Sequence, residues 1–159
     1  PILNSKLIFF YLSLKASTLR WWYLDFRRPY IASIPICSIN KDKQKTLENY
    51  HFNITSLTST FEEKKNFFLE VLAERYSLTS YSKKLQSFYE LEFPEFKKQL
   101  KLKKLSLTEE EELLARFTKK KNELLELKSQ IDATDREIDE MVFDLYGLTD
   151  EEREVVLGG

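Results

Sequence analysis

The run Arg20-Trp21-Trp22-Tyr23-Leu24-Asp25-Phe26-Arg27-Arg28 interleaves three guanidinium groups with aromatic rings. A guanidinium fork matches phosphate oxygens and guanine edges, and an aromatic face stacks on a base, so the pattern fits nucleic-acid contact. Trp21, Tyr23 and Phe26 equally suit the core of a small sheet, where bulky rings fill space efficiently. Lys97, Lys98, Lys101, Lys103 and Lys104 form a second cationic group. It fits either a phosphate backbone, each neutralised phosphate adding salt-dependent affinity, or a solvated helix face. With Lys41 and Lys43 from the basic front of the chain, the candidate DNA-contacting residues are Arg20, Arg27, Arg28, Lys41, Lys43, Lys97, Lys98 and Lys101. Other chemistries find little support. His51 and Cys37 are the only residues of their kinds, so neither a zinc site nor a Cys–His pair is indicated. Asp132, Asp135 and Asp139 share one face at helical spacing, which fits a metal but fits a salt-bridged surface better. Glu109 to Glu112 fall in the first turn of a helix, where the macrodipole favours carboxylates without any catalytic role. The expected catalytic and metal sets are therefore empty.

Charge is unevenly spread over the 159 residues. Residues 1–45 carry eight Lys/Arg against Asp25 and Asp42, a net +6; residues 46–104 carry +2 and residues 105–159 carry −9. A polyanion partner is thus expected toward the N-terminus, with the acidic tail packing on protein. Hydrophobic residues make up 42% and charged residues 32%, with only three Gly and four Pro. That balance suits a helix-rich globular chain. The run Leu7 to Leu12 is too short to cross a membrane, and the lone Cys37 excludes an internal disulfide. No membrane partner and a cytoplasmic location are expected.

These side chains need elements to hold them. Leu7, Phe10, Tyr11 and Leu14 lie on one face of a first helix, capped by Asn4 or Ser5. A helix that starts almost at residue 1 suggests a piece of a longer chain. Residues 21–26 read as a strand that Pro29 ends, and residues 31–36 as a second extended piece, because Pro35 pushes Ile34 out of helical space. From residue 41 the pattern is helical, with a short helix over 41–50. Thr60 with Glu63 reads as a capping box that starts a further helix burying Phe67, Phe68, Val71 and Leu72. Residues 82–91 form a short amphipathic piece with Leu85, Phe88 and Tyr89 inward, interrupted by Pro94. Thr108 with Glu111 reads as another capping box. Phe117, Leu124, Ile131, Ile138 and Leu145 then recur every seven residues, with Leu113, Leu127 and Met141 four before members of the series. This heptad pattern, broken at Lys120 and Thr134, predicts a helix about 55 Å long over 109–145 that needs a partner helix. Gly147 stops it, and Thr149 with Glu152 caps a last short helix. The expected fold is mainly α: a helical bundle with a long antiparallel, coiled-coil-like helix hairpin, plus a small β element near the N-terminus. The expected segments are 1–40, 41–104 and 105–159, the last two folding as one unit.

The stretch Ile131-Asp132-Ala133-Thr134-Asp135-Arg136-Glu137-Ile138-Asp139-Glu140-Met141-Val142-Phe143-Asp144-Leu145-Tyr146-Gly147-Leu148-Thr149-Asp150-Glu151-Glu152 resembles the closing signature of Taq-type adenine-specific DNA methyltransferases. It is also similar to that of type IIG restriction-modification enzymes, which fuse such a methyltransferase to a nuclease. More loosely, Leu3-Asn4-Ser5-Lys6-Leu7 and Ile34-Pro35-Ile36 resemble the end of the family's target-recognition domain, and type I specificity subunits show a related arrangement. The resemblance implies that residues 1–40 close a target-recognition subdomain. The chain would then be a specificity segment that positions a methyltransferase on double-stranded DNA. Its partners would be the DNA and the parent's upstream methyltransferase or nuclease domains.

The catalytic motifs of that family are missing from this stretch. It holds no Asn-Pro-Pro-Tyr motif for the target adenine, and no Gly-rich loop for S-adenosylmethionine, its glycines being Gly147, Gly158 and Gly159. No Pro-Asp…Glu-x-Lys nuclease pattern is present. The fragment is accordingly expected to be no enzyme and to hold no cofactor; S-adenosylmethionine, and Mg where a nuclease is present, belong to the parent. A second reading stays open: a non-catalytic helical interaction or spacer module making protein–protein contacts, which the heptad pattern alone would equally support.

Overall fold

In a computed structural model, residues 2–15, 18–19, 23–24, 28–102 and 105–158 are described, the four of the short strands by backbone only. The chain is mainly helical. Among the described residues the α-helices are α1 (Lys6–Lys15), α2 (Arg28–Ala32), α3 (Lys41–Tyr76), α4 (Lys83–Gln86), α5 (Phe93–Gln99), α6 (Leu107–Tyr146) and α7 (Asp150–Leu157), with 3-10 turns at Ile2–Asn4 and Phe88–Glu90. Among the described residues the expected β element is no more than a pair of two-residue strands, β1 (Thr18–Leu19) and β2 (Tyr23–Leu24), antiparallel with Thr18 opposite Leu24; residues 21, 22, 25 and 26 of the expected strand lie outside the described residues. The extended piece expected over 31–36 is absent. Pro29 stands near the start of α2, where its fixed φ suits a first helical turn, and residues 34–40 have no regular structure.

Two compact units make up the chain, Pro1–Ile54 with Asp132–Gly159, and Thr55–Ile131. They cut across the segments drawn from sequence, because α3 and α6 are each long enough to contribute to both. The helix expected over 41–50 and the one expected from Thr60 are a single helix of 36 residues. No Gly or Pro interrupts residues 41–76, and the Thr60 hydroxyl donates to the Ser56 carbonyl at 2.9 Å instead of capping. Helix α6 begins earlier than expected. Its cap is Ser106, not Thr108: Ser106 N–H donates to Glu109 Oε2 at 2.9 Å, and Glu109 N–H to Ser106 Oγ at 3.3 Å. That hydrogen bonding holds the fully exposed Glu109 carboxyl below its ordinary pKa.

The unit of residues 55–131 is built on an aromatic core. Phe61, Phe68, Leu69 and Leu72 of α3 are buried with Leu85, Phe88, Leu91, Phe96 and Leu100, and with Leu113, Phe117 and Leu124 of α6. Phe68 and Phe88 ring centroids are 4.8 Å apart, Phe96 and Phe117 4.4 Å. Phe67, expected inside, is 62% exposed, and Leu69 takes its place. A helix turns 100° per residue, and the buried stripe centred on Phe68, Leu69 and Leu72 leaves Phe67 at its edge, toward water. Pro94 opens α5 instead of interrupting a helix, as proline does in a first turn.

In the other unit the core is smaller: Ile8 and Leu12 of α1, Leu47 of α3, and Ile138, Val142 and Phe143 of α6. Helix α1 packs on α2 and α7. It turns Ile8 and Leu12 inward, not the expected Leu14, which is exposed. Of the heptad positions, Leu113, Phe117, Leu124 and Ile138 are buried, and Leu127, Ile131, Met141 and Leu145 are half-buried. Thr134, a polar break in the pattern, is buried too. Among the described residues no helix is long and apolar enough to cross a membrane.

Candidate functional site

A polar constellation lies where the N-terminal segment meets the end of α6. Helix α1 has orphan amides at its first turn, as every helix does. The Lys6 amide donates to Asp139 Oδ1 at 2.8 Å, so a carboxylate 133 residues away closes the start of α1. Its other oxygen stands 3.7 Å from Lys6 Nζ and has no hydrogen-bond partner among the described residues. Ser5, also buried, gives its hydroxyl hydrogen to the Ile2 carbonyl at 2.7 Å. Burial raises the Asp139 carboxyl above its ordinary pKa; the Lys6 amide and ammonium oppose this, and Asp135 adds to it.

One helical turn beyond Val142 and Phe143, Tyr146 makes a second tie. Its hydroxyl donates to the Pro35 carbonyl at 2.6 Å and accepts from the Cys37 amide at 3.4 Å. Burial raises this phenol's pKa, against the Cys37 amide bond. Gly147, at φ +69°, then ends α6, with the Leu148 amide donating back to Phe143 O at 3.1 Å. Thr149 and Glu152 form the expected capping box of α7. Arg153 returns to α6, its guanidinium 2.7 Å from Glu140 Oε2 and 2.6 Å from Asp144 Oδ1. Those partners, the Asp144 hydrogen bond first, raise its pKa further. Tyr146→Phe is expected to cost about 0.5–1.5 kcal/mol, the usual worth of one hydrogen bond, without altering helix content. Chemical denaturation followed by circular dichroism measures both, and an unchanged midpoint would show the Pro35 bond to be idle.

The described residues among those proposed from sequence for DNA contact are divided between the two units. Arg20 and Arg27 lie outside the described residues, as do Trp21, Trp22, Phe26, Lys103 and Lys104. Arg28 begins α2, and Lys41 and Lys43 begin α3, all exposed and in the unit holding the N-terminus. Lys97, Lys98 and Lys101 belong to the other unit. Lys97 is engaged with Glu110, Nζ to Oε1 2.6 Å, while Lys98 and Lys101 are exposed. The anchoring roles of Asp139 and Tyr146 were not read from sequence. A lone Asp on a helix face looks the same whether it meets water or another helix's first amide.

Among the described residues no three His, Cys, Asp or Glu side chains are grouped to hold a metal ion. An open groove of about 610 Å³ in the N-terminal unit contains His51, Glu48 and Asp135, but its walls are chiefly Leu3, Ile36, Ile39, Leu47, Ile54 and Ile138. The profile of a family described as a domain of unknown function, DUF8810, matches residues 40–142. The chain belongs to the DUF8810 family. The DUF8810 match takes in the whole of α3 and α6 as far as Val142, and so Asp139, but neither residues 34–36 nor Tyr146. No curated protein and no solved structure matches the chain.

Proposed function

We propose that this DUF8810 chain is the DNA target-recognition segment of a restriction-modification adenine methyltransferase, positioning a catalytic domain that the segment itself does not contain. One observation supports the reading most. The separate stretches that resemble that family touch one another: Lys6 meets Asp139, and Pro35 meets Tyr146. Residues of the closing signature thus hold the end of a reader onto a long helix, the arrangement that the resemblance implies. Within the unit of residues 55–131 the pieces of α3 and α6 form an antiparallel hairpin on this reading. Lys64 pairs with Glu123 at 3.6 Å and Arg75 with Glu112 at 3.5 Å, so rising numbers on α3 meet falling numbers on α6. S-adenosylmethionine, and Mg for any nuclease, would be held by the parent.

The test is a salt titration of duplex DNA binding by the chain. Binding at low salt should weaken steeply as salt rises, since cations on phosphates release counterions. The triple variant Arg28→Ala, Lys41→Ala, Lys43→Ala should weaken it on all sequences alike and lower the log–log salt slope by about 2–3. A chain that binds no duplex at low salt would sink this reading. That result would leave the helical spacer or protein-interaction module, which the 36-residue α3 and 40-residue α6 favour by their length.

A further inference from the structure

A cationic groove in the unit of residues 55–131 is not accounted for by that reading. It has a volume of about 260 Å³ and is lined by Phe67, Phe68 and Val71 of α3 and by Arg116, Lys119 and Lys120 of α6. In the same unit Lys64 of α3 pairs with Glu123 of α6, and Arg75 of α3 with Glu112 of α6. The groove's lining thus holds three cations and no carboxylate, and the nearby Glu123 and Glu112 are already engaged, Glu123 by Lys120 as well at 2.8 Å. Arg116 and Lys119 form no ion pair among the described residues. The Glu123 carboxyl is held below its ordinary pKa, first by its Lys120 hydrogen bond and then by the charges of Lys120, Lys64 and Lys119, as a locally positive field requires. In the same groove Phe67 leaves 62% of its surface in water although the core lies one residue away at Phe68.

We propose that this groove binds single-stranded nucleic acid, with phosphates on Arg116 and Lys119 and a base stacked on Phe67. The partner follows from the chemistry. Unpaired cations beside a solvated aromatic ring complement a strand that carries a negative charge and an open π face at each nucleotide. In a duplex the bases are already stacked on one another and offer Phe67 nothing. An acidic peptide would satisfy the cations but not the ring. Glu63, Glu70 and Glu74 lie at i−4, i+3 and i+7 from Phe67, on its own face of α3, so the strand must reach the ring from the Arg116 and Lys119 side. The inference does not rest on the methyltransferase reading.

Fluorescence anisotropy of a labelled oligothymidylate with the full chain tests it. Binding should weaken as salt rises. Arg116→Ala with Lys119→Ala should weaken it at least about tenfold and lower the log–log salt slope by about 1.4, at ~0.7 per phosphate contact on a single strand. Phe67→Ala should weaken it about five- to tenfold or more with the slope unchanged, and Phe67→Trp should restore it. Arg28→Ala with Lys41→Ala and Lys43→Ala should leave it unchanged, which separates this site from the duplex contact proposed above. The altered side chains are all exposed or lie on the groove rim, and unchanged circular dichroism verifies folding. Absence of salt-dependent binding, indifference to both groove variants, or equal competition by duplex DNA or polyglutamate would overturn the proposal.

Discussion

Phe88→Ala is expected to destabilise the unit of residues 55–131 by about 3–5 kcal/mol, the range for emptying a buried phenylalanine site. Phe88 has no exposed surface. Its ring stands 4.8 Å from Phe68, 6.1 Å from Phe96 and 6.4 Å from Phe117, so it touches rings from α3, α5 and α6. The residue itself sits in the 3-10 turn Phe88–Glu90, a short piece with little hydrogen bonding of its own to maintain it. Truncation therefore removes the apolar area and leaves a cavity whose walls are long helices that collapse poorly. Phe88→Leu should cost less than half as much, because most of the volume remains. Phe67→Ala, next to Phe68 of the same core in the chain but facing water, should change stability by less than about 0.5 kcal/mol. Urea denaturation of the three variants measures this ordering. Equal losses for Phe88→Ala and Phe67→Ala would show that the aromatic cluster is not the stabilising core.

The contrast between those two phenylalanines marks where sequence reasoning worked. The seven-residue recurrence from Phe117 onward carried its own evidence, since only a long helix with a buried stripe produces it, and Phe117, Leu124 and Ile138 are buried. Gly147 and the Thr149–Glu152 box were legible for a related reason: local chemistry at a helix end leaves few alternatives. Elsewhere the same local rules admitted two outcomes. Ser and Thr three residues before Glu occur both at caps and inside helices. Thr60 satisfies its hydroxyl through Ser56, and at α6 the rule pointed to Thr108, whereas the cap is Ser106. Pro94 and Pro29 were read as breaks, though a proline equally well begins a helix.

The polar sites were less legible, because they depend on residues far apart in the chain. Net charge pointed to the first third as the cationic end, and Arg28, Lys41 and Lys43 are exposed there. Yet Arg116, Lys119 and Lys120 lie within the segment whose net charge is −9, and the fold gathers them on the rim of one groove. A segment sum averages over faces that the folded chain keeps separate. Asp139 was hidden in the opposite way. Its spacing with Asp132 and Asp135 suggested an exposed, charged face, but Asp132 and Asp135 are exposed and Asp139 alone is buried.

Asp139→Ala is expected to destabilise the unit holding the N-terminus by about 1.5–3 kcal/mol, the worth of a hydrogen bond to a charged group, since the Lys6 amide loses its acceptor at the start of α1. Asp139→Asn separates that bond from the charge. The amide oxygen still accepts from Lys6, while the burial penalty of a carboxylate, only partly offset by a Lys6 ammonium 3.7 Å away, disappears. Because burial raises the Asp139 pKa in the folded chain, the native state takes up a proton before the unfolded state does. The wild type thus carries its penalty above the folded pKa and loses it as pH falls toward the ordinary aspartate value of about 3.9. Asp139→Asn should accordingly be more stable than wild type at pH 7, and the difference should shrink toward zero as pH approaches 4. Urea denaturation of both proteins across that range, referenced to each other so that other carboxylates cancel, gives the difference directly. A gap that stays constant would place the effect in packing and not in charge. A gap that widens on acidification would mean that Lys6 stabilises the carboxylate by more than burial destabilises it.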